Sequence, residues 1–177
     1  ELGTYLKAKG LDVIVASPLR RAAETASILA TSLGLPGPSL REEFRELDTG
    51  SFSGMSLEEA QARYPEVYAD FAHRSWSAVP DAEAADSLYD RAILAWEVLR
   101  AEAFSGKRRI ACVSHGGFIQ WLVRVTFGTR TWMPILPTGN CGVFDLTVEP
   151  AQGGNFLRWD RLNFQVPGSA KPIGPVF

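Results

Sequence analysis

Two groups of residues have the types and spacing to do chemistry: Ser17 with Arg20 and Arg21, and His115. The last lies in Arg109-Ile110-Ala111-Cys112-Val113-Ser114-His115-Gly116-Gly117-Phe118-Ile119-Gln120-Trp121. There an apolar run ends at Ser114, and apolar residues resume at helical spacing, at Ile119, Leu122, Val123 and Phe127. The pattern predicts a buried strand, a tight turn and a helix. In open α/β sheets, ligands bind beyond the carboxyl ends of parallel strands, where the following helices aim their N–H groups. Gly116 and Gly117 carry no Cβ and would let a phosphate approach the backbone. On this stretch alone, a strand-end histidine that caps the next helix accounts for the pattern equally well.

The second junction is Ser17-Pro18-Leu19-Arg20-Arg21, after the short apolar segment Leu11 to Ala16. Ser as N-cap and Pro at the first helical position predict a helix start at this point, with Ala22, Ala26, Leu29 and Leu33 on the buried face. If the two strands are parallel neighbours, both junctions open on one crevice. Arginine suits a phosphate because its planar fork offers several fixed donors. Two cations at the positive end of a helix are unfavourable unless an anion offsets them, which favours an anion site over a merely solvated helix start.

Other elements must hold these groups. Leu2, Tyr5 and Leu6 share a helical face that Gly10 ends; Gly34 stops the second helix; Ser39 to Phe44 reads as an edge strand. Ser56 with Glu59 forms a capping box, and Pro65 divides that region into two short helices. His73 to Asp81 has no clear period and reads as a loop carrying Trp76. A long helix is expected from Glu83 to Ala103, with Leu88, Ala92, Ala95, Trp96, Leu99 and Ala103 facing the core. Alternating segments from Cys141 to Val148 and Phe156 to Phe164, joined by a turn at Gly153-Gly154, predict a β-hairpin. The expected organisation is one α/β domain over residues 1–166, a three-layer sandwich with a mixed, mostly parallel sheet. An extended Pro- and Gly-rich tail follows over 167–177.

The 177 residues, 46% hydrophobic and 21% charged, suffice for one soluble domain with a sizeable core. A net charge of −2 gives no field to draw nucleic acid or an anionic membrane. No apolar run reaches the length of a membrane span and no leader is evident, so a cytoplasmic location is expected. Cys112 and Cys141 lack disulfide or zinc spacing, and with only His73 and His115 a multi-histidine metal site cannot be built.

Ser17-Pro18-Leu19-Arg20-Arg21-Ala22-Ala23-Glu24-Thr25-Ala26 resembles the Ser-x-Leu-x-Arg segment of the histidine phosphatase superfamily, the phosphoglycerate-mutase-like proteins. Val113-Ser114-His115-Gly116-Gly117 looks like that family's second catalytic histidine. Leu47-Asp48-Thr49-Gly50-Ser51-Phe52-Ser53-Gly54 is similar to its Gly-x-Trp-x-Gly loop, with Phe52 in the Trp place. Pro80-Asp81-Ala82-Glu83 resembles its Pro-x-Gly-Glu-Ser element, with Ala82 and Ala84 in place of Gly and Ser, and Arg91 follows Glu83 at the matching step. The resemblance implies a phosphoglycerate-mutase-like fold, His115 and Glu83 as catalytic residues, and Arg21, Ser17 and Gly116 as substrate-binding residues. It implies no cofactor and no metal, a small phosphorylated substrate as the partner, and leaves room for a homodimer.

The family's Arg-His-Gly motif, with the histidine that is phosphorylated, is not in this sequence. His73, in Phe71-Ala72-His73-Arg74, reads as a surface or structural histidine and not as its replacement. The resemblance places the absent motif on a strand between that of Ile110–Val113 and that beginning near Cys141. The expectation is that an upstream segment or another chain supplies it. The leading reading is a metal-independent phosphomonoesterase for small phosphorylated metabolites, working through a phosphohistidine. A phosphoglycerate mutase and an inactive phosphate-binding or scaffold domain are the alternatives.

Overall fold

A computed structural model describes residues 1–132, 134–151 and 154–167. The elements run α1 (Leu2–Lys7), β1 (Val13–Ala16), α2 (Arg20–Leu33), β2 (Ser39–Leu40), α3 (Leu57–Arg63), α4 (Pro65–Arg74), α5 (Ala85–Phe104), β3 (Ile110–Val113), α6 (Gly116–Thr126), β4 (Val143–Ala151) and β5 (Gly154–Phe164). Of the expected tail, residues 168–177 lie outside the described residues, as does most of the hairpin turn, at 152–153.

Strands β2, β1 and β3 form a parallel sheet in that order, with Val13 to Ala16 facing Ile110 to Val113 in register. The pleat divides the core. Ile14 and Ala16 of β1, with Ala111 and Val113 of β3, pack on α1 and α2 through Leu2, Leu6, Ala26 and Leu29. Val15, Ile110 and Cys112 point the other way, into a cluster that holds Leu88, Ala92 and Ala95 of α5 and Phe118, Trp121 and Leu122 of α6. Alternate side chains on opposite faces, each face covered by helices, make the three layers. The hairpin β4–β5 is antiparallel and forms its own two-stranded sheet beside β3.

Between them lies a cleft of about 2550 Å³ that runs into the carboxyl-edge crevice. Among the described residues β3 pairs with β1 alone and β4 with β5 alone, and residues of both strands line this cleft. On the helical wall, Trp96 and Leu99 are half-buried and Ala103 is exposed. Ala103 thus departs from its expected core position, because it faces the cleft and not a strand.

Local chemistry explains most boundaries. Gly34 ends α2 in the left-handed conformation, and Ser56 with Glu59 makes the reciprocal capping box of α3. The edge strand expected over Ser39 to Phe44 is shorter, since Glu42–Phe44 form a 3₁₀ turn that buries Phe44. Residues Ser75–Ala78 also form a 3₁₀ turn, and Trp76, expected on a loop, is buried against Phe71 with centroids 4.9 Å apart. Phe127 falls at the C-cap of α6 and is exposed.

Candidate active site

The site is built at the ends of β1 and β3. Helix α2 does not begin at Ser17 as the Ser-Pro pattern suggests; it starts at Arg20 with Leu19 as N-cap and no side-chain cap. Ser17 Oγ accepts from the Leu19 N–H at 3.2 Å instead and lies 2.8 Å from His115 Nε2. The two strand ends are therefore joined by one buried hydrogen bond. His115, 5% exposed, is the N-cap residue of α6 but gives it no side-chain cap, so helix capping does not account for this histidine. Burial holds its pKa down at about 4, helped by the charges of Arg21 and Arg91.

Arg20 and Arg21 part company here. Arg20 lies on solvent and pairs with Glu24 one turn on, at 2.7 Å. Arg21 is exposed and lines the crevice, and its guanidinium makes no hydrogen bond or ion pair among the described residues. A guanidinium without a partner beside a buried neutral imidazole is where an anion would be held.

Glu83 precedes α5, and two loops knit together to place it. Ser51 N–H donates to the Pro80 carbonyl, Glu83 N–H to that of Asp48, and Thr49 bridges Ala82. Gly50, at φ +54°, lies so close to Pro80, Asp81 and Ala82 that no Cβ fits. Phe52, in the Trp place, is buried beneath this knot. Both Glu83 oxygens accept from Arg91, at 2.9 Å from Nε and 2.7 Å from Nη2, and the Asp48 N–H donates at 3.3 Å. Arg91 Nη1 donates to the carbonyls of Glu43 and Arg45, and its guanidinium lies 4.1 Å from the centroid of Phe118. This fork fixes the position of the Glu83 carboxyl group.

The glycines after His115 make room for side chains of other segments. A Cβ on Gly116 would fall 2.7 Å from Thr138 Oγ1, and one on Gly117 would strike Leu47 and come 2.7 Å from Glu46 Oε1. Glu46 takes the start of α6: its Oε1 accepts from Phe118 N–H at 2.9 Å and its Oε2 from Gly117 N–H at 3.4 Å. Those amides, expected to face a phosphate, are engaged by the protein's own carboxylate. Sequence reasoning missed Glu46. The paired glycines were the signal, because two such residues at a helix start mean that something approaches closely. Helix α6 holds the chain that follows it: Gln120 exchanges hydrogen bonds with the Leu136 backbone, and Arg124 donates to the carbonyls of Thr131, Trp132 and Pro134. His73 is exposed in the last turn of α4, as its sequence context suggested. Among the described residues, no group of three or more His, Cys, Asp or Glu is placed to hold a metal ion, and no helix is long and apolar enough to cross a membrane.

A parallel sheet thus carries a histidine and a serine at the carboxyl ends of adjacent strands, with an arginine beside them whose guanidinium has no partner among the described residues. The chain belongs to the histidine phosphatase superfamily (branch 1), whose family model matches residues 1–161. It is 34% identical to the uncharacterized phosphatase PhoE of Bacillus subtilis (strain 168), over 70% of this chain and 57% of PhoE. To the phosphoglycerate mutase-like protein 4 of Arabidopsis thaliana it is 33% identical, over 66% of this chain and 50% of that protein. The chain thus spans little more than half the length of these curated relatives. In fold it resembles the mycobacterial glucosyl-3-phosphoglycerate phosphatase, with a TM-score of 0.76 at 23% identity over 93% of this chain and 83% of that one.

Proposed function

We propose that this chain belongs to a phosphomonoesterase that hydrolyses small phosphorylated metabolites through a phosphohistidine, without a metal. The observation that carries the reading is Arg21, unpartnered beside the buried His115–Ser17 pair. In this reading Arg21 and His115 hold the phosphoryl oxygens, which is where catalysis of a loose transition state mostly comes from. Ser17 orients His115, and Gly116 allows Thr138 to close the pocket beside it. The nucleophilic histidine comes from an Arg-His-Gly strand seated in the cleft between β3 and β4, whose facing edges would supply its backbone partners.

The nucleophile attacks phosphorus and the P–O bond to the leaving group breaks, the departing oxygen taking a proton from Glu83. Water then attacks the phosphohistidine, its proton passing to Glu83 as the P–N bond breaks and phosphate leaves. Curated relatives named 2,3-bisphosphoglycerate-dependent phosphoglycerate mutase, such as that of Methylobacterium sp. (strain 4-46) at 32% identity, support a mutase as the second reading.

The test is an assay of the full-length protein on p-nitrophenyl phosphate and on 3-phosphoglycerate, with and without excess EDTA. Hydrolysis of the first at a rate unchanged by EDTA is expected. A requirement for added magnesium overturns the mechanism, and isomerisation of 3-phosphoglycerate without net phosphate release selects the mutase.

A further inference from the structure

Thr138 carries a hydroxyl that the protein holds in place and leaves without a partner. The residue is half-buried and lines the crevice together with His115, Gly116 and Arg21. Its Oγ1 stands beside the residue that follows His115, 2.7 Å from where a Cβ on Gly116 would lie. The neighbouring hydroxyls are engaged: Ser17 Oγ lies 2.8 Å from His115 Nε2, and Ser114 Oγ donates to the Phe44 carbonyl at 2.8 Å. Thr138 Oγ1 makes no hydrogen bond among the described residues.

Two anchors set this position. On one side, Leu136 N–H donates to Gln120 Oε1 at 2.9 Å, and the Leu136 carbonyl accepts from Gln120 Nε2. Arg124, 5% exposed, reinforces that side by donating to the carbonyls of Thr131, Trp132 and Pro134, while its Nη1 reaches Gln120 Oε1 at 3.4 Å. A buried cation given over to backbone carbonyls fixes the path of the chain that bears them. On the other side, Gly139 N–H donates to Asn163 Oδ1 at 2.8 Å, and Gln165 Nε2 donates to the same oxygen at 3.0 Å. Only Pro137 and Thr138 lie between the anchors, and a proline ring fixes its own φ. The hydroxyl is thus preorganised, and a ligand that accepts from it has little side-chain ordering left to impose.

We propose that Thr138 is a substrate-binding residue, its hydroxyl donating to a phosphoryl oxygen held beside His115, with Gln120, Arg124 and Asn163 as the residues that position it. The proposal rests on the phosphate-handling reading of the crevice and deepens it. A few fixed polar groups converging on one crevice are what orient a small ligand. A hydroxyl adds a donor to Arg21 and His115 without adding charge, and its bond to an ionised oxygen is stronger than one to a neutral acceptor.

The test uses the full-length protein, with affinity for inorganic phosphate measured by calorimetry and KM and kcat on p-nitrophenyl phosphate. Thr138→Val keeps the branched shape and removes the hydroxyl; Thr138→Ser keeps the hydroxyl. Thr138→Val is expected to weaken phosphate and raise KM about 10-fold at an unchanged melting temperature, the worth of one hydrogen bond to a charged group. Thr138→Ser should stay within about twofold of wild type on both measures. Gln120→Leu releases the anchor at Leu136 and should weaken phosphate about as much as Thr138→Val, the double variant losing no more than either alone. A purely structural Gln120 would lower melting temperature without this non-additivity. Wild-type phosphate affinity in Thr138→Val, or an equal loss in Thr138→Ser, overturns the proposal, and full additivity in the double variant overturns the positioning role. If Gln120→Leu does not fold, Asn163→Gly takes its place in the cycle with the same expectations, since glycine keeps the φ of +52° and removes the acceptor. Wild-type protein that binds no phosphate overturns the reading of the crevice beneath the proposal, whereas binding that Thr138→Val leaves intact overturns the proposal alone.

Discussion

Arg91 and Arg21 both act on the charge of His115, yet the protein treats them in opposite ways. Arg91 is half-buried, gives Nε and Nη2 to Glu83 and Nη1 to two carbonyls, and covers the ring of Phe118. Arg21 is exposed at the first turn of α2 and gives its donors to no group among the described residues. A guanidinium with satisfied donors in a dry setting organises structure, because moving it leaves a carboxylate and carbonyls uncompensated. One with free donors at a crevice wall costs the fold nothing when it turns to a ligand. The contrast divides the site into a fixed side, made by α5 and the two knitted loops, and a receptive side, made by the junctions after β1 and β3.

The largest expected effect tests the fixed side. Arg91→Ala strips Glu83 of both its hydrogen bonds from the guanidinium and leaves the Glu43 and Arg45 carbonyls without this donor. A loss of about 3 kcal/mol in urea denaturation is expected, in the range for breaking a buried pair from one side. A loss under about 1 kcal/mol would dissolve the distinction between the two arginines. On the receptive side, Arg21→Ala is expected to leave stability within about 0.5 kcal/mol. It should weaken inorganic phosphate by about 10-fold or more, the worth of one charge-assisted hydrogen bond. Unaltered phosphate affinity, read by calorimetry, would move the anion site away from α2.

This division also marks how far the sequence could be read. Periodicity and end signals were enough for the helices and the parallel pair β1–β3, because apolar alternation and Gly34, Ser56 and Pro65 act locally. The cluster of His115, Ser17 and Arg21 was legible since each sits at the carboxyl end of a strand. Ser17 itself was misread as a helix cap, as the local Ser-Pro signal competes with a hydrogen bond to a residue 98 positions away. The Glu46 carboxylate on α6 and the carbonyls gripped by Arg91 had no local trace. They join segments that lie far apart in the chain, and only tertiary packing brings them together. The turn at Ser75–Ala78 was lost for the same reason, its geometry following from the burial of Trp76 against Phe52 and Phe71.

The smallest expected effect sharpens the comparison through pH. His115 has a pKa of about 4 in the folded chain, against about 6.5 for a free histidine. The unfolded chain therefore binds a proton that the folded one refuses. The contribution of neutral His115 to stability is full above about pH 6.5 and is lost as pH falls from there toward 4. From pH 7 to pH 5.5 the loss is about 1 kcal/mol, which urea denaturation at the two pH values can resolve. His115→Gln should remove this component of the pH dependence. Arg21→Ala should retain most of it, because burial is the leading cause of the shift and the charges of Arg21 and Arg91 come after it. If Arg21→Ala flattened the profile as far as His115→Gln does, the exposed arginine would already control the histidine before any anion arrives, and the receptive side would be no freer than the fixed one.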